Sequence, residues 1–539
     1  MNNLKKLILI LMALIIVSCH DDLDQYPIDP DSFTETNVFA SAEEARGALA
    51  KLYASLALTG QEGPAGQPDI SGIDEGTSQF SRLYFSLNEL TTDNAVVGWG
   101  DPGLPNLHAM SWGAGNDFTT GMYYRLAQEV SFTNSFISNA EALNDNPEVQ
   151  AYIAEARFLR AFAYYNLIDF YGDVPLVTMV STEVPEQNTR EEIFSFIESE
   201  LLEIQDLLAE SGSADYGRVD RVAAWALLSK LYLNAEVWTG EERNTDAVTY
   251  ASQAINSSYS INTNDANGNG SAYDELFLAD NDTNGAQNEF IFALNFDGNQ
   301  SRTYGGTTFL VHAAIGGSMD ASEFGVNGGW GGLRTTKALV NKFDYAVTEE
   351  DEDGNPVEWA DARAMFYTEG QNLEINTIAN TFTDGYAVTK FTNLDSEGNA
   401  GNDEGGEFVD TDLPLIRLAE IYLTYAEAVL RGGSGGDVST AVTYINELRE
   451  RAFGDNSRNI SASDLDLQFI IDERARELYW EGQRRTDLIR FTDFVSADYL
   501  WPFKGGSQTG TAVDPYRRLF PLPANILTIN PNLTQNPGY

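Results

Sequence analysis

The chain contains two long amphipathic stretches, residues 122–143 and 148–171, separated by only four residues. In the second, Phe158, Phe162, Tyr165 and Ile168 fall on adjoining faces of one helix. A helix with such a stripe is stable only when the stripe is covered, so helices of this kind must pack on one another. The same pattern recurs at 43–58, 190–209, 219–238 and 245–255, then at 415–431, 438–453, 465–482 and 485–494. Paired helices joined by short turns predict a mainly α fold of irregular tetratricopeptide-type helical repeats. No 34-residue period can be counted, so a plain helix bundle fits the periodicity equally. The aromatics at helical spacing read as core seam.

Between the helical blocks the chain changes character. Residues 256–288 and 297–332 are rich in Gly, Asn, Asp and Ser, broken by short apolar runs such as 289–294. This composition predicts a loop-rich face carrying a few short strands. The organisation expected is one domain over 19–539, with a helical scaffold at about 40–258 and 412–496. The loop-rich face then occupies about 60–120 and 259–411, and a Pro- and Asn-rich tail, 514–539, lies extended over the helices.

The first eighteen residues read as a signal peptide: Lys5 and Lys6 precede an eleven-residue apolar run, Leu7 to Val17. That run is too short to span a bilayer, which takes about twenty residues. Ile16-Val17-Ser18-Cys19 resembles the lipobox of bacterial lipoproteins, which implies a mature chain starting at Cys19 and held to a membrane by lipid alone. The acidic stretch His20-Asp21-Asp22-Leu23-Asp24 resembles the surface-export signal of Bacteroidetes-type lipoproteins and implies an outer membrane location facing the exterior.

Lys plus Arg number 32 against 81 Asp plus Glu, a net charge of −49. Nucleic acid, which needs a basic face, is excluded as a partner, and an uncharged ligand suits this surface better. Cys19 is the sole cysteine, and the histidines are His20, His108 and His312. These rule out a disulfide framework and a Cys-ligated zinc site, and are too few and scattered for the usual catalytic zinc site.

Several segments resemble the SusD/RagB family of outer-membrane nutrient-binding lipoproteins. They are AEARFLRA at 154–161 running to DFYGDVP at 169–175, and PLIRLAEIYL at 414–423. ERAREL at 473–478, GQRR at 482–485, PLP at 521–523 and NPGY at 536–539 complete the set, in order along the chain. The resemblance implies four tetratricopeptide-type repeats beneath an irregular loop face. It also implies lid-like partnership with a SusC-like TonB-dependent outer-membrane barrel. In that arrangement an oligosaccharide is captured and handed on, and no reaction is catalysed.

The likeness is nearer still to the starch-binding type of that family, through 87–90, GWGDPG at 98–103, KLYLNAEVWTG at 230–240 and GGWGG at 328–332. It implies an arc of three aromatics, Trp99, Tyr304 and Trp330, with Asp74 and Arg82 as polar partners. An asparagine that the starch-binding type uses shortly after the first Trp has no counterpart here. Physically, a neutral sugar wants flat aromatic platforms for its C–H faces and a few hydrogen-bonding groups for its hydroxyls. Trp99 and Trp330 are each flanked by glycines, and Tyr304 precedes Gly305-Gly306. Such neighbours cannot cover a ring and can turn it outward. The alternatives are that each ring caps the core beneath its own loop, and that Asp74 and Arg82 form a surface ion pair worth at most about 1 kcal/mol.

Gly432-Gly433-Ser434-Gly435-Gly436 fits G-x-S-x-G, but the residues before it are helical rather than a strand, so it reads as a turn. Asp280-x-Asp282-x-Asn284-Gly285 and Asp265-x-Asn267-x-Asn269-Gly270 match half a calcium loop and lack Glu at the twelfth place. They read as solvated turns. The family resemblance still admits a structural Ca2+ at Asp280 and Asp282, with Asp437 a further candidate, and no cofactor is required. Starch or maltooligosaccharide is the ligand expected. The rivals are another neutral glycan such as the β-glucan laminarin, a glycoside hydrolase with two carboxylates across the linkage, and an adhesin with no soluble ligand.

Overall fold

The computed structural model describes residues 38–64, 66–379 and 381–539. The signal peptide and the expected anchor, Cys19, lie outside these residues. Among the described residues no helix is long and apolar enough to cross a membrane.

The fold is mainly helical, as the periodicity predicts. Helix Asp117–Ala140 packs on Pro147–Tyr171, which packs on Arg190–Ile204. Arg190–Ile204 packs on Arg221–Leu233, and that helix on Asn244–Ile255. The stack then continues in space but not in sequence. Asn244–Ile255 meets Leu418–Leu430, which covers Val438–Phe453 and Leu467–Leu478. The loop-rich region is thus an insertion between two adjacent helices, which is why no regular period is countable. Its neck is closed by an antiparallel strand pair, Phe290–Leu294 with Leu413–Arg417, Leu294 opposite Leu413 and Phe290 opposite Arg417. Both strands are buried throughout.

Helix starts follow local chemistry. Asn116, Asn146, Asp220 and Asp466 each place a side-chain oxygen on an otherwise unpaired N–H of the first turn. Thr189 and Glu192 do so reciprocally. Such caps contribute about 1 kcal/mol each. The stretch 219–238 divides at Asn234 into Arg221–Leu233 and Ala235–Thr239, Asn234 Nδ2 bonding the Lys230 carbonyl at 2.9 Å. The stretch 465–482 stops at Leu478, and Trp480 adopts φ +66°. The tail does lie over the helices: the Phe520 N–H donates to Phe170 O at 2.7 Å, and Asn536 Nδ2 to Tyr171 O at 2.8 Å. It also contains one short helix, Ala524–Ile529, that its composition conceals.

Beneath the insertion sits a charged interior. Arg417 donates to Glu289 at 2.9 Å, Glu477 at 2.7 Å and Glu481 at 2.6 Å, all four side chains at most 3% exposed. Arg451 bridges Glu289 and Glu477, and Arg363 reaches Asp361, Glu473 and Glu477. Nearby, Arg484 holds Asp93 at 2.6 Å and Arg485 holds Asp169 at 2.9 Å. The segments 414–423, 473–478 and 482–485, noted above for their sequence, are this network. They specify how the insertion seats on the helices.

Candidate functional site

Asp93, pinned by Arg484, lies two residues before the strand Ala95–Val97. That strand pairs antiparallel with Leu333–Thr335, Val97 opposite Leu333, and the ladder extends through a bond from the Gly98 N–H to Gly332 O at 3.0 Å. Trp99 therefore emerges beside Trp330. Their ring centroids are 6.4 Å apart, and Trp99 Nε1 donates to the Trp330 carbonyl at 3.3 Å.

Trp330 is held from below by the C-terminal end of helix Gly306–Ala313. The N–H groups of Trp330, Gly331 and Gly332 donate to the carbonyls of His312 (2.7 Å), Ile315 (2.8 Å) and Ala313 (2.9 Å). Two of these acceptors lie in the last turn of the helix, where carbonyls lack partners within the helix, and the third just beyond it. Trp330 also stacks on the His312 ring at 4.9 Å and 18°. Tyr304, two residues before the same helix, has its ring 6.3 Å from Trp330. The three rings thus run Trp99, Trp330, Tyr304, each half-buried, with interplanar angles of 47° and 57° between neighbours. They cap buried aromatics and still present surface.

The glycines serve this arrangement differently from the simple expectation. Gly331, at φ +57°, needs a left-handed backbone. Gly332 instead makes room: a Cβ there would lie 2.4 Å from Trp99 Cε2, so the indole rests on bare backbone.

Arg82 lies on helix Phe80–Asn88. Its guanidinium sits 4.6 Å over the Phe309 ring and 5.8 Å from the Trp99 ring, and Nη1 donates to Tyr304 O at 3.3 Å. Among the described residues no carboxylate comes within ion-pairing distance of it, so the surface-pair alternative for Asp74 and Arg82 is not what forms. Burial pulls the Arg82 pKa down to about 10, with Asp74, Asp101 and Glu75 opposing, so it stays charged at neutral pH. Asp74 is exposed and accepts from Thr77 N at 3.3 Å. Gly76 lies where Asp74, Arg82 and Tyr304 approach one another; a Cβ there would be 3.1 Å from Arg82 Nη1 and from Tyr304 Cβ, and 3.7 Å from Asp74 Oδ1.

Asp74, Arg82, Tyr304 and Trp330 line one open cleft of about 570 Å³, whose far wall is Pro64, Gln67 and Pro68. Trp99 extends it past Trp330. Of the other acids nearby, Glu407 takes the Tyr304 hydroxyl at 2.7 Å, and Glu75 is buried against Thr59. The hydrogen bond to Glu407, together with burial, pushes the Tyr304 pKa up to about 12.

Sequence reasoning missed Phe309, His312, Glu407 and the wall of Pro64, Gln67 and Pro68. Phe309 and His312 sit three apart on a short helix inside a stretch whose composition reads as loop. Glu407 is 103 residues from its partner, beyond any local signal.

The carboxylates of the acidic loops hydrogen-bond within the chain. Both carboxylate oxygens of Asp280 accept from Ser396, its N–H at 3.0 Å and Oγ at 2.5 Å. Asp282 accepts from Thr283 Oγ1 at 3.3 Å. Asp437 is a helix cap, its two oxygens taken by Thr440 at 2.9 Å each. Among the described residues no group of three or more His, Cys, Asp or Glu is placed to hold a metal ion. Asp280 and Asp437 thus accept bonds at both carboxylate oxygens, and Asp282 at one.

Comparison with known proteins bears on the whole chain. A family profile described as "SusD family" matches residues 288–539, and one described as "Starch-binding associating with outer membrane" matches residues 92–233. The chain is 37% identical to the starch-binding protein SusD of Bacteroides thetaiotaomicron, over 97% of this chain and 96% of that protein. A SusD-like protein of Bacteroides ovatus is 25% identical over 91% of this chain and 83% of the relative. A solved SusD homologue from Bacteroides thetaiotaomicron superposes with a TM-score of 0.70 at 19% identity, covering 94% of this chain and 98% of that one, a likeness of fold. With more than a third of its residues identical across nearly the full length of a family member, this chain belongs to the SusD family.

Proposed function

We propose that this protein is a non-catalytic, cell-surface binder of α-1,4-glucan, starch or maltooligosaccharide. The observation that carries the reading is the run of three half-buried rings at 6.3 and 6.4 Å spacing. Because neighbouring rings are tilted rather than coplanar, they form an arc, which suits a coiled glucan better than a flat ribbon. Aromatic platforms supply contact area at little conformational cost, and Arg82 and Asp74 stand at the edge to donate to and accept from hydroxyls. The name of the 37%-identical relative supports the same ligand. Binding without reaction is the simpler reading, because among the described residues Asp74 is the one carboxylate lining the cleft besides Glu75, and Glu75 accepts from Thr59. Glycoside hydrolysis needs two.

Capture at the outer membrane follows from the lipobox-like Cys19, with the membrane engaged by lipid alone and the sugar passed to a SusC-like TonB-dependent barrel. Affinity electrophoresis tests the ligand: retardation in starch gels, lost in Trp330→Ala, is the expected result. Retardation only in laminarin moves the assignment to a β-glucan, and release of reducing sugar on long incubation makes the protein an enzyme. Cys19→Ser is expected to move the protein from the membrane fraction to the soluble one.

A further inference from the structure

We infer that His312 is the positioning residue that holds the Trp330 and Tyr304 platforms in register, an inference that rests on the glycan-binding reading of this cleft. His312 is 1% exposed, at the last turn of helix Gly306–Ala313. Every part of it is engaged. Its ring face stacks on Trp330, and its own carbonyl takes the Trp330 N–H. Nδ1 lies 2.6 Å from Gly328 O, and Nε2 lies 3.0 Å from Glu407 O.

These two carbonyls belong to different segments. Gly328 leads into Trp330, and Glu407 carries the carboxylate that takes the Tyr304 hydroxyl. One imidazole therefore touches the first ring directly and the second through Glu407. Elsewhere the two segments meet through Asn327, whose N–H donates to Gly406 O at 2.9 Å and whose Nδ2 donates to Gly405 O at 2.8 Å. Asn327 is exposed, and its bonds compete with water more than those of the buried His312 ring. No other side chain offers two donors placed at fixed separation on a rigid ring. Neutral imidazole donates from one nitrogen and imidazolium from both; burial lowers the His312 pKa, so near neutral pH the ring carries one N–H and serves the two carbonyls in turn.

The experiment separates the two bonds. His312→Phe keeps a flat ring under Trp330 and removes both donors. His312→Asn restores a donor near the Nδ1 position only, and His312→Gln near the Nε2 position only. Backbone hydrogen exchange is followed in residues 326–333 and 403–409 of the full chain, with binding of maltoheptaose in parallel. In the Phe variant both segments are expected to exchange about threefold faster, the effect of one donor shared between two carbonyls. Asn is expected to restore protection in 326–333 alone, and Gln in 403–409 alone. Maltoheptaose affinity is expected to fall about tenfold in the Phe variant. Wild-type protection in the Phe variant overturns the inference, as does an indistinguishable effect of Asn and Gln, or wild-type affinity despite faster exchange. If the Phe variant does not fold, the Asn and Gln pair against wild type decides. If even the wild type fails to bind maltoheptaose while the exchange pattern holds, the α-glucan assignment has failed and the positioning role stands.

Discussion

The interior under the insertion and the shelf above it treat charge in opposite ways. Below, Arg417, Arg451 and Arg363 are fully buried, and each is met by two or three carboxylates. Above, Arg82 is met by aromatic faces and a backbone carbonyl, with no carboxylate in ion-pairing distance. The first arrangement commits its cations to fixing the fold, inside a dry interior closed to a ligand. The second leaves a cation half-satisfied beside a cleft, which is what a polyhydroxylated ligand can complete. Stability and binding are thereby lodged in different residues, and the two can be broken separately.

The largest expected effect is on the interior. Arg417→Ala would take one cation each from Glu289, Glu477 and Glu481 in a dry site, leaving them to Arg451, Arg363 and Lys390, and removing one partner of a buried ionic cluster costs about 3–5 kcal/mol. Denaturant unfolding should show that loss, or the variant should fail to accumulate folded. A loss below about 1 kcal/mol would mean water reaches the network.

The same contrast predicts an acid optimum for stability. The arginines around Glu477 hold its pKa down at about 2, against an ordinary 4.5, although burial alone would raise it. Its contribution is complete above the unfolded value and is lost as pH falls from about 4.5 through 2. Acids buried without a cation behave in the reverse sense. Burial pushes Glu129 up to about 8, and Glu89 and Asp412 up to about 7. These bind a proton in the folded chain before the unfolded one does, so stability rises as pH falls from 8 toward 5. Melting temperatures measured from pH 3 to 8 should peak near pH 5; a peak at or above pH 7 contradicts the assignment.

What could be read from the sequence divides along the same line. The helical stack was legible because each helix repeats an apolar stripe locally, as Phe158, Phe162 and Tyr165 do, and because caps such as Thr189 with Glu192 lie within four residues. Trp99, Trp330, Tyr304, Asp74 and Arg82 were named through family resemblance, and the structure gathers them around one cleft and its margin. Spacing alone could not have joined them. The strand pairing that sets Trp99 beside Trp330 links Val97 to Leu333 and Ala95 to Thr335, far apart in sequence, and it is buried charge on Arg484 that anchors it. His312 and Glu407 were invisible for the same reason: their roles exist only through contacts closed by the insertion. Calcium was the least legible expectation, because an Asp-rich turn and an Asp-rich cation loop share one local signature, and the contacts from Ser396 and Thr440 appear only in the fold.

On the shelf the expected effects are smaller for folding and larger for binding. Trp330→Ala removes the central platform and should weaken starch or maltoheptaose binding about 30-fold, near 2 kcal/mol. Because the ring is half-buried, unfolding free energy should fall by no more than about 1.5 kcal/mol. Calorimetry and denaturant titration on the same preparation check both halves. A variant that unfolds as readily as Arg417→Ala would show that the ring serves the core and would erase the contrast between the two regions.

Tyr304→Phe asks which part of a platform matters, and it should have the smallest effect of the series. The substitution keeps the ring face beside Trp330 and Phe408 and deletes only the hydroxyl that Glu407 accepts. Glu407 is half-exposed, so water can replace the lost donor, and the net cost of one such bond is about 1 kcal/mol, less than about fivefold in affinity. Tyr304→Ala removes the face as well and should cost clearly more. If sugar is held chiefly by stacking, the two variants separate in a binding isotherm. If they coincide, the hydroxyl and its carboxylate are the contact, the ring is only their support, and the shelf resembles the interior after all: a polar site whose energy resides in hydrogen bonds.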